Sequence, residues 1–249
     1  MTMTRLTALL KREWLLAIRS WKSLILTLGM PVGFFLLFSA TNDVSDLPVA
    51  VQNQIFKQVL MMMTISSVLS LVFYNLPYLL QEDRMRNRLK AILHTPVTYW
   101  EYYLVKTLRL LFFFGISISV VFTVGYVVKD IQMSLVEWVM SIVLILLGTF
   151  LMLPLGILLG QIKSSETLSL FSNLCYMGLA ILGGLWYPME SFPAWLQKVT
   201  KLTPTHHFLN LLVSYYDKDF SWRSLAILTG YGIILLGIIA LIKKRQDVY

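Results

Sequence analysis

Charged residues are scarce in this sequence. Aspartate, glutamate, lysine and arginine together make up 14% of its 249 residues, whereas 57% are hydrophobic. In soluble domains roughly a quarter of the residues are charged. So large a deficit excludes an ordinary water-solvated domain and indicates a chain surrounded by lipid.

Catalytic and metal-binding patterns are also missing. The sequence holds no glycine-rich phosphate loop, no nucleophile elbow, no His-Glu-x-x-His pair and one cysteine, Cys175, which excludes an internal disulfide. A metal site of Glu190, His206 and His207 is one alternative, but adjacent side chains on a helix point about 100° apart and chelate one ion poorly. We therefore predict no catalytic residue, no metal and no cofactor in this chain.

Long stretches lack charge altogether. Six windows of 19 residues or more contain no aspartate, glutamate, lysine, arginine or histidine: Ser23–Asn42, Gln58–Gln81, Leu110–Val128, Trp138–Ile162, Thr167–Met189 and Ser224–Ile242. A helix of that length spans about 28 Å, close to the roughly 30 Å bilayer core. The windows are apolar on every face, which does not suit a β-barrel. We predict an all-α membrane protein with one domain over residues 1–249 and six transmembrane helices at about 23–42, 58–81, 110–128, 138–162, 167–187 and 224–242.

The basic residues predict the orientation. With six spans, 15 lysines and arginines lie on the side of the two termini and 6 on the other side. Cytoplasmic segments carry the excess of basic residues. Both termini are therefore expected in the cytoplasm. The basic residues behind the +8 net charge are expected to contact anionic lipid headgroups rather than nucleic acid.

Two amphipathic segments flank the first spans. Residues Arg5–Ser20 are predicted to form an interfacial helix, which serves either as an anchor or as a lever to a cytosolic partner. Residues Glu82–Arg109 form a cytoplasmic loop that begins as a helix with Met85, Leu89, Ile92 and Leu93 along one side and ends at Thr95-Pro96. Such an exposed apolar stripe needs a partner groove.

An aromatic segment precedes the last span. Between Trp186 and Arg223 the sequence predicts two short helices, one from Ser191 to about Lys201 and one capped by Thr205 and running to about Tyr216. Both are too short to span a bilayer, so we predict a re-entrant helical hairpin in the outer leaflet. The four aromatic residues expected to form an exit gate there are Trp186, Phe192, Trp195 and Phe208.

Three stretches resemble the type-2 ABC transporter permeases, the membrane subunits of a large class of exporters. They are Lys11-Arg12-Glu13 with Arg19-Ser20; Asn87–Val97 with Glu101 and Lys106; and Gly183–Leu196, with the sequence GGLWYPMESFPAWL, followed by Thr203-Pro204. Asn87, Lys90 and Val105 depart from the family pattern.

The resemblance implies a bacterial plasma-membrane exporter. It implies a cytosolic ABC ATPase that binds ATP and Mg²⁺, a second permease copy or a paralogous permease, and surrounding membrane lipids. Coupling to the ATPase would then involve Met85, Leu89, Ile92, Leu93 and Glu101. The second and fifth spans would line the substrate path, with Tyr74, Asn75, Asn173, Tyr176 and Met177; hydrogen bonding between helices is the alternative role for Asn75 and Asn173.

Other function classes remain open. An ion-coupled carrier or channel without an ATPase is the main alternative, although the six windows lack the ionisable residues that such proteins use. An intramembrane enzyme or immunity factor is a further one. A neighbouring gene for an ATPase with a phosphate loop would favour the exporter.

Overall fold

The computed structural model describes residues 2–19, 21–41, 46–85, 99–187 and 189–246. Ten α-helices lie within these ranges, and no strand does. In chain order they are α1 Thr2–Arg19, α2 Trp21–Thr41, α3 Val49–Ser70, α4 Leu76–Met85, α5 Tyr99–Lys129, α6 Leu135–Leu159, α7 Ser165–Leu182, α8 Ala194–Thr200, α9 Pro204–Tyr216 and α10 Trp222–Gln246. The all-helical prediction is therefore confirmed for the described residues.

Four described helical stretches are long and apolar enough to cross a membrane: Val49–Met85, Leu104–Lys129, Leu135–Leu159 and Trp222–Ile242. Each of the six charge-free windows falls largely on one helix, but Leu28–Thr41 in α2 is a shorter apolar stretch and α7 is not among the four. Six spans thus stay a prediction. The helix expected over 167–187 ends at Leu182, because Gly183 closes it and Gly184 follows with a φ of +79°.

A continuous rod, Val49–Met85, forms the centre of the bundle. It begins at Val49, inside the segment that the sequence predicts to be a loop, and α3 passes into a π-helical turn, Leu71–Asn75, before α4. Pro77 explains the turn: it has no N–H, and its ring crowds the carbonyl four residues earlier. The helix widens instead of breaking, and the Leu76 N–H donates to the Leu71 carbonyl oxygen.

Other helices pack around the rod. The helices α2, α5, α6 and α9 contact α3, whereas α10 lies against α6 and α9. Gly156 in α6 allows the closest approach, since a Cβ at that position would stand 2.4 Å from the Val72 carbonyl oxygen in the π turn. A small residue is what such close backbone contact between membrane helices requires.

Polar contacts hold the rod at both ends. At its start, Asn53 exchanges two hydrogen bonds of 2.9 Å with the backbone of Gln132, and Lys57 pairs with Glu137 at 2.9 Å. At its other end, Arg84 donates to the backbone carbonyl oxygens of Gly160 at 2.8 Å and Gln161 at 2.9 Å. Those carbonyls belong to the end of α6, where a cation is favourable. Arg84 thus points into the protein.

Candidate functional site

A polar cluster lies beside the π turn. It comprises Ser66, Tyr74, Asn173, Tyr176 and Trp186. The Tyr74 hydroxyl donates to Asn173 Oδ1 at 2.8 Å, which joins the rod to α7. The Trp186 indole N–H donates to Ser66 Oγ at 2.8 Å, and that same hydroxyl lies 3.0 Å from the Tyr176 hydroxyl. Ser66 therefore contacts both Tyr176, which the sequence predicts on the substrate path, and Trp186, which it predicts at the exit gate.

Aromatic contacts extend this polar cluster. The ring of Tyr176 lies edge-on to Tyr74 at 5.3 Å and to Trp186 at 5.5 Å between centroids. The Trp186 ring in turn lies 5.2 Å from Phe34 in α2. Rings at these separations attract one another in tilted or edge-to-face geometry. The cluster is thus a packed wall of aromatic rings and uncharged polar groups.

The remaining residues predicted to line the path lie at the edge of this wall. Asn173 and Met177 are exposed on α7, whereas Tyr176 is buried. Asn75 Oδ1 is buried, and no hydrogen-bond donor among the described residues reaches it. The structure therefore brings Tyr74, Asn173 and Tyr176 together where the π turn meets α7, and Asn75 offers a buried acceptor in the same turn.

The four predicted gate residues do not form one group. Trp186 belongs to the polar cluster, and Phe192 stacks on Tyr187 at 5.5 Å. Trp195 in α8 is 67% exposed, but Phe208 in α9 is fully buried against Gly148, where an added Cβ would stand 2.2 Å from its ring. Phe208 is a core residue in this arrangement.

The helix α9, which the sequence predicts as the second half of the re-entrant hairpin, is buried among other helices of the protein. It contacts α3, α6, α7 and α10, and most of its residues are buried. Its N-cap is Thr203, whose hydroxyl accepts from the His206 N–H at 3.3 Å. The predicted cap, Thr205, was wrong because Pro204 takes the first helical position, where a missing N–H costs nothing. Thr205 instead donates to the Leu179 carbonyl oxygen at 2.7 Å.

One histidine of α9, His207, contacts a serine of α10. Nδ1 of His207 lies 3.2 Å from Ser224 Oγ, and burial lowers the pKa of this imidazole. It is therefore neutral at pH 7. Among the described residues, no group of three or more histidine, cysteine, aspartate or glutamate side chains is placed to hold a metal ion. The Glu190 side chain lies outside the described part of the chain.

A second cluster, the ionic cluster, joins three helices at the rod's far end. Asp83 in α4 pairs with Lys106 and accepts from the Tyr102 hydroxyl, both in α5. Glu13 in α1 pairs with Arg109 at 2.8 Å. The four charged groups balance, as buried charges must. Sequence reasoning used the basic residues for orientation and named Glu13 and Lys106 only in the family resemblance. It did not predict these pairs, because Glu13 and Arg109 lie 96 positions apart and no local pattern links them.

Of the predicted coupling residues, two are described. Met85 is 66% exposed at the end of α4, and Glu101 is half-buried in the first turn of α5. Leu89, Ile92 and Leu93 lie outside the described residues.

Known proteins share this sequence pattern. Residues 4–216 match the model of a family described as ABC-2 type transporter. A transport permease named YvfS from Bacillus subtilis (strain 168) is 29% identical over 222 residues, which cover 89% of each chain. A multidrug ABC transporter permease named YbhR from Escherichia coli (strain K12) is 26% identical over 148 residues. That second match covers 57% of this chain and 40% of YbhR, so it spans less than half of that relative.

Proposed function

This chain belongs to the ABC-2 type transporter family, and on that premise we propose that it is the membrane-spanning permease subunit of an ATP-driven exporter. It lies in a bacterial plasma membrane with both termini in the cytoplasm. The rod Val49–Met85 carries the proposal. It is one unbroken helical element that joins Tyr74 in the polar cluster, and the adjacent Asn75, to exposed Met85. A stiff element of this kind can transmit a movement of the ATPase subunit to the residues of the substrate path.

The motor is a separate cytosolic ABC ATPase, which binds ATP and Mg²⁺. It docks on the stripe that begins at Met85 and continues through Leu89, Ile92 and Leu93, with Glu101 at its edge. Helix-in-groove binding uses apolar anchors at such spacing. The ionic cluster supports this route, because it fixes the end of the rod to α5 and fixes α5 to α1.

The substrate is an amphipathic or hydrophobic compound, such as a drug, a peptide or a lipid-like molecule. The polar cluster supports this class: it offers aromatic faces and uncharged hydrogen-bonding groups, with no ionised side chain. Met177, exposed on α7, adds a thioether. The name of YbhR, a multidrug permease, agrees with a substrate of this kind.

The path runs between this chain and a second permease, either a copy or a paralogue. Asn173 and Met177 are exposed on α7, and a polar amide facing lipid is unfavourable. A second subunit against this face, with the path between the two, would cover it. At the outer end Trp186, Phe192 and Trp195 form the proposed exit gate, and Phe208 supports it from within the core.

Co-purification with the cognate cytosolic ATPase tests the proposal. The Leu89→Asp/Ile92→Asp variant places two carboxylates in the proposed contact, where unpaired charge costs several kcal/mol. We expect normal membrane insertion, loss of the ATPase from the purified complex and no stimulation of ATP hydrolysis by candidate compounds.

The matched control changes two exposed apolar residues at the other end of the bundle, Leu135→Asp/Val136→Asp. This variant is expected to keep the ATPase. Retention of the ATPase by both variants would contradict the proposed docking site and move it to the Arg5–Ser20 helix.

A further inference from the structure

A cleft opens between α1 and α5 beside the ionic cluster. Its volume is about 120 Å³, and its apolar walls are formed by Leu10, Trp14, Leu108 and Phe112. Glu13 and Arg109 are the polar residues that line it. Trp14 packs on Phe112 with ring centroids 4.4 Å apart and is 50% exposed, so the cleft opens onto the surface of the protein.

Arg109, which lines this cleft, has one hydrogen-bond donor without an acceptor in the described part of the chain. Its side chain is only 10% exposed, Nη1 donates to Glu13 Oε2 at 2.8 Å, and the guanidinium lies 5.4 Å from the centre of the Phe113 ring. Nε is buried and meets no acceptor among the described residues. A buried N–H without an acceptor is costly, and native proteins rarely leave one. The missing acceptor is therefore expected to come from a bound molecule.

The position of the cleft indicates what that molecule is. The uncharged part of α5 begins at Leu110, directly after Arg109, so this arginine lies at the level of the lipid headgroups. Leu104, Leu108 and Leu111 are exposed along the same helix and offer an apolar surface. Phosphate geometry suits the guanidinium, and phospholipids place a phosphate directly above their acyl chains.

We propose that this cleft binds one anionic phospholipid, with its phosphate accepting the Arg109 Nε–H and an acyl chain along Leu108 and Phe112. Lys11 and Arg12 are exposed on α1 next to Glu13 and favour a negatively charged headgroup. The bound lipid would stabilise the contact of α1 with α5. This inference rests on the membrane orientation of the proposed function, but neither on transport nor on an ATPase.

Native mass spectrometry of the purified full-length chain in detergent provides the test. Phosphatidylglycerol and phosphatidylcholine are titrated separately, and we expect one phosphatidylglycerol to stay bound where phosphatidylcholine does not. The Glu13→Gln/Arg109→Gln variant removes both charges together and leaves neither unpaired. Its affinity for phosphatidylglycerol is expected to fall about tenfold, since a charge-assisted hydrogen bond is lost.

A second pair of variants tests the cleft by filling it. Leu108→Trp occupies the cleft, and Leu147→Trp adds the same bulk at a half-exposed apolar position of α6. The first is expected to lose the bound lipid and the second to keep it.

Equal lipid retention by Leu108→Trp, Leu147→Trp and the double glutamine variant would overturn the proposal. Displacement of the lipid by inorganic phosphate at equal concentration would also overturn it, because the site would then recognise phosphate alone. If Leu108→Trp does not fold, the glutamine variant and the phosphate competition decide. All readouts measure binding, so a failed ATPase assay would leave this result unaffected.

Discussion

The central rod and the last helix occupy opposite environments. In the most apolar stretch of Val49–Met85, 78% of the residues are buried, whereas only 11% are buried in Trp222–Ile242. The more hydrophobic of the two is the outer one. In water the reverse would be expected, but lipid tails are as apolar as leucine, so hydrophobicity does not draw a helix inward.

The number of buried hydroxyl-bearing residues distinguishes the two helices instead. The rod buries Thr64, Ser66, Ser67 and Ser70, and the Ser67 and Ser117 hydroxyls meet at 2.7 Å. The outer surface of α10 is aliphatic, with Ile233, Ile234, Leu236, Ile238 and Leu241 exposed. Hydrogen bonding and close packing, rather than hydrophobicity, therefore explain why the rod and not α10 lies in the interior of this bundle.

Truncating one large side chain in each helix should give the largest contrast. Phe73 in the π turn is fully buried, whereas Ile234 in α10 is 63% exposed. Phe73→Ala is expected to lower the free energy of unfolding by about 3–5 kcal/mol, because it leaves a cavity that neighbours cannot fill. Ile234→Ala is expected to change it by less than about 0.5 kcal/mol.

Unfolding in mixed micelles with increasing dodecyl sulfate measures both values. A similar loss of unfolding free energy in the two variants would mean that α10 is also covered by protein, which would contradict the contrast between the rod and α10.

Adding one methyl group should give an intermediate contrast. Gly156→Ala introduces a Cβ 2.4 Å from the Val72 carbonyl oxygen, whereas nothing lies within 4 Å of a Cβ at Gly237. Overpacking of this kind costs about 1–3 kcal/mol. Gly237→Ala gains about 1 kcal/mol at most from helix propensity. Melting curves of the two purified variants should therefore shift in opposite directions, and a common upward shift would show that the rod is not packed tightly on α6.

Removing hydroxyls should give the smallest contrast. A double-mutant cycle on Ser67→Ala and Ser117→Ala is expected to yield about 0.6 kcal/mol of coupling, the average for hydrogen bonds between membrane helices. Thr229 in α10 donates to the Leu225 carbonyl oxygen of its own helix at 2.8 Å. Because that bond joins no second helix, Thr229→Ala paired with Ser67→Ala is expected to show no coupling. Coupling as large in the control pair would contradict the assignment.

Much of this arrangement follows from the sequence, and the limits have physical causes. Charge-free windows predicted each long helix, since lipid requires every backbone polar group to be bonded within its own segment. The turn at Pro77 and the buried role of Ser66 went unpredicted. Both depend on contacts with distant residues, such as Trp186, which is 120 positions from Ser66.

The candidate site was predicted only in part. Tyr74, Asn173 and Tyr176 do come together, because the rod and α7 that carry them pack together. The gate did not emerge as one group: aromatic residues suit both a membrane interface and a core, and only packing separates Trp195 from Phe208. The ionic cluster was not predicted, because a count of basic residues does not show which acidic residue pairs with each of them.

Disulfide cross-linking in native membranes tests most directly whether α7 faces a second permease while α10 faces lipid. Single cysteines are introduced as Asn173→Cys and Ile234→Cys, each in a Cys175→Ala background, and a mild oxidant is added. Both native positions are exposed in the single chain. The account predicts a covalent dimer for the Asn173 variant and none for the Ile234 variant. A dimer formed through position 234, with none through position 173, would contradict it.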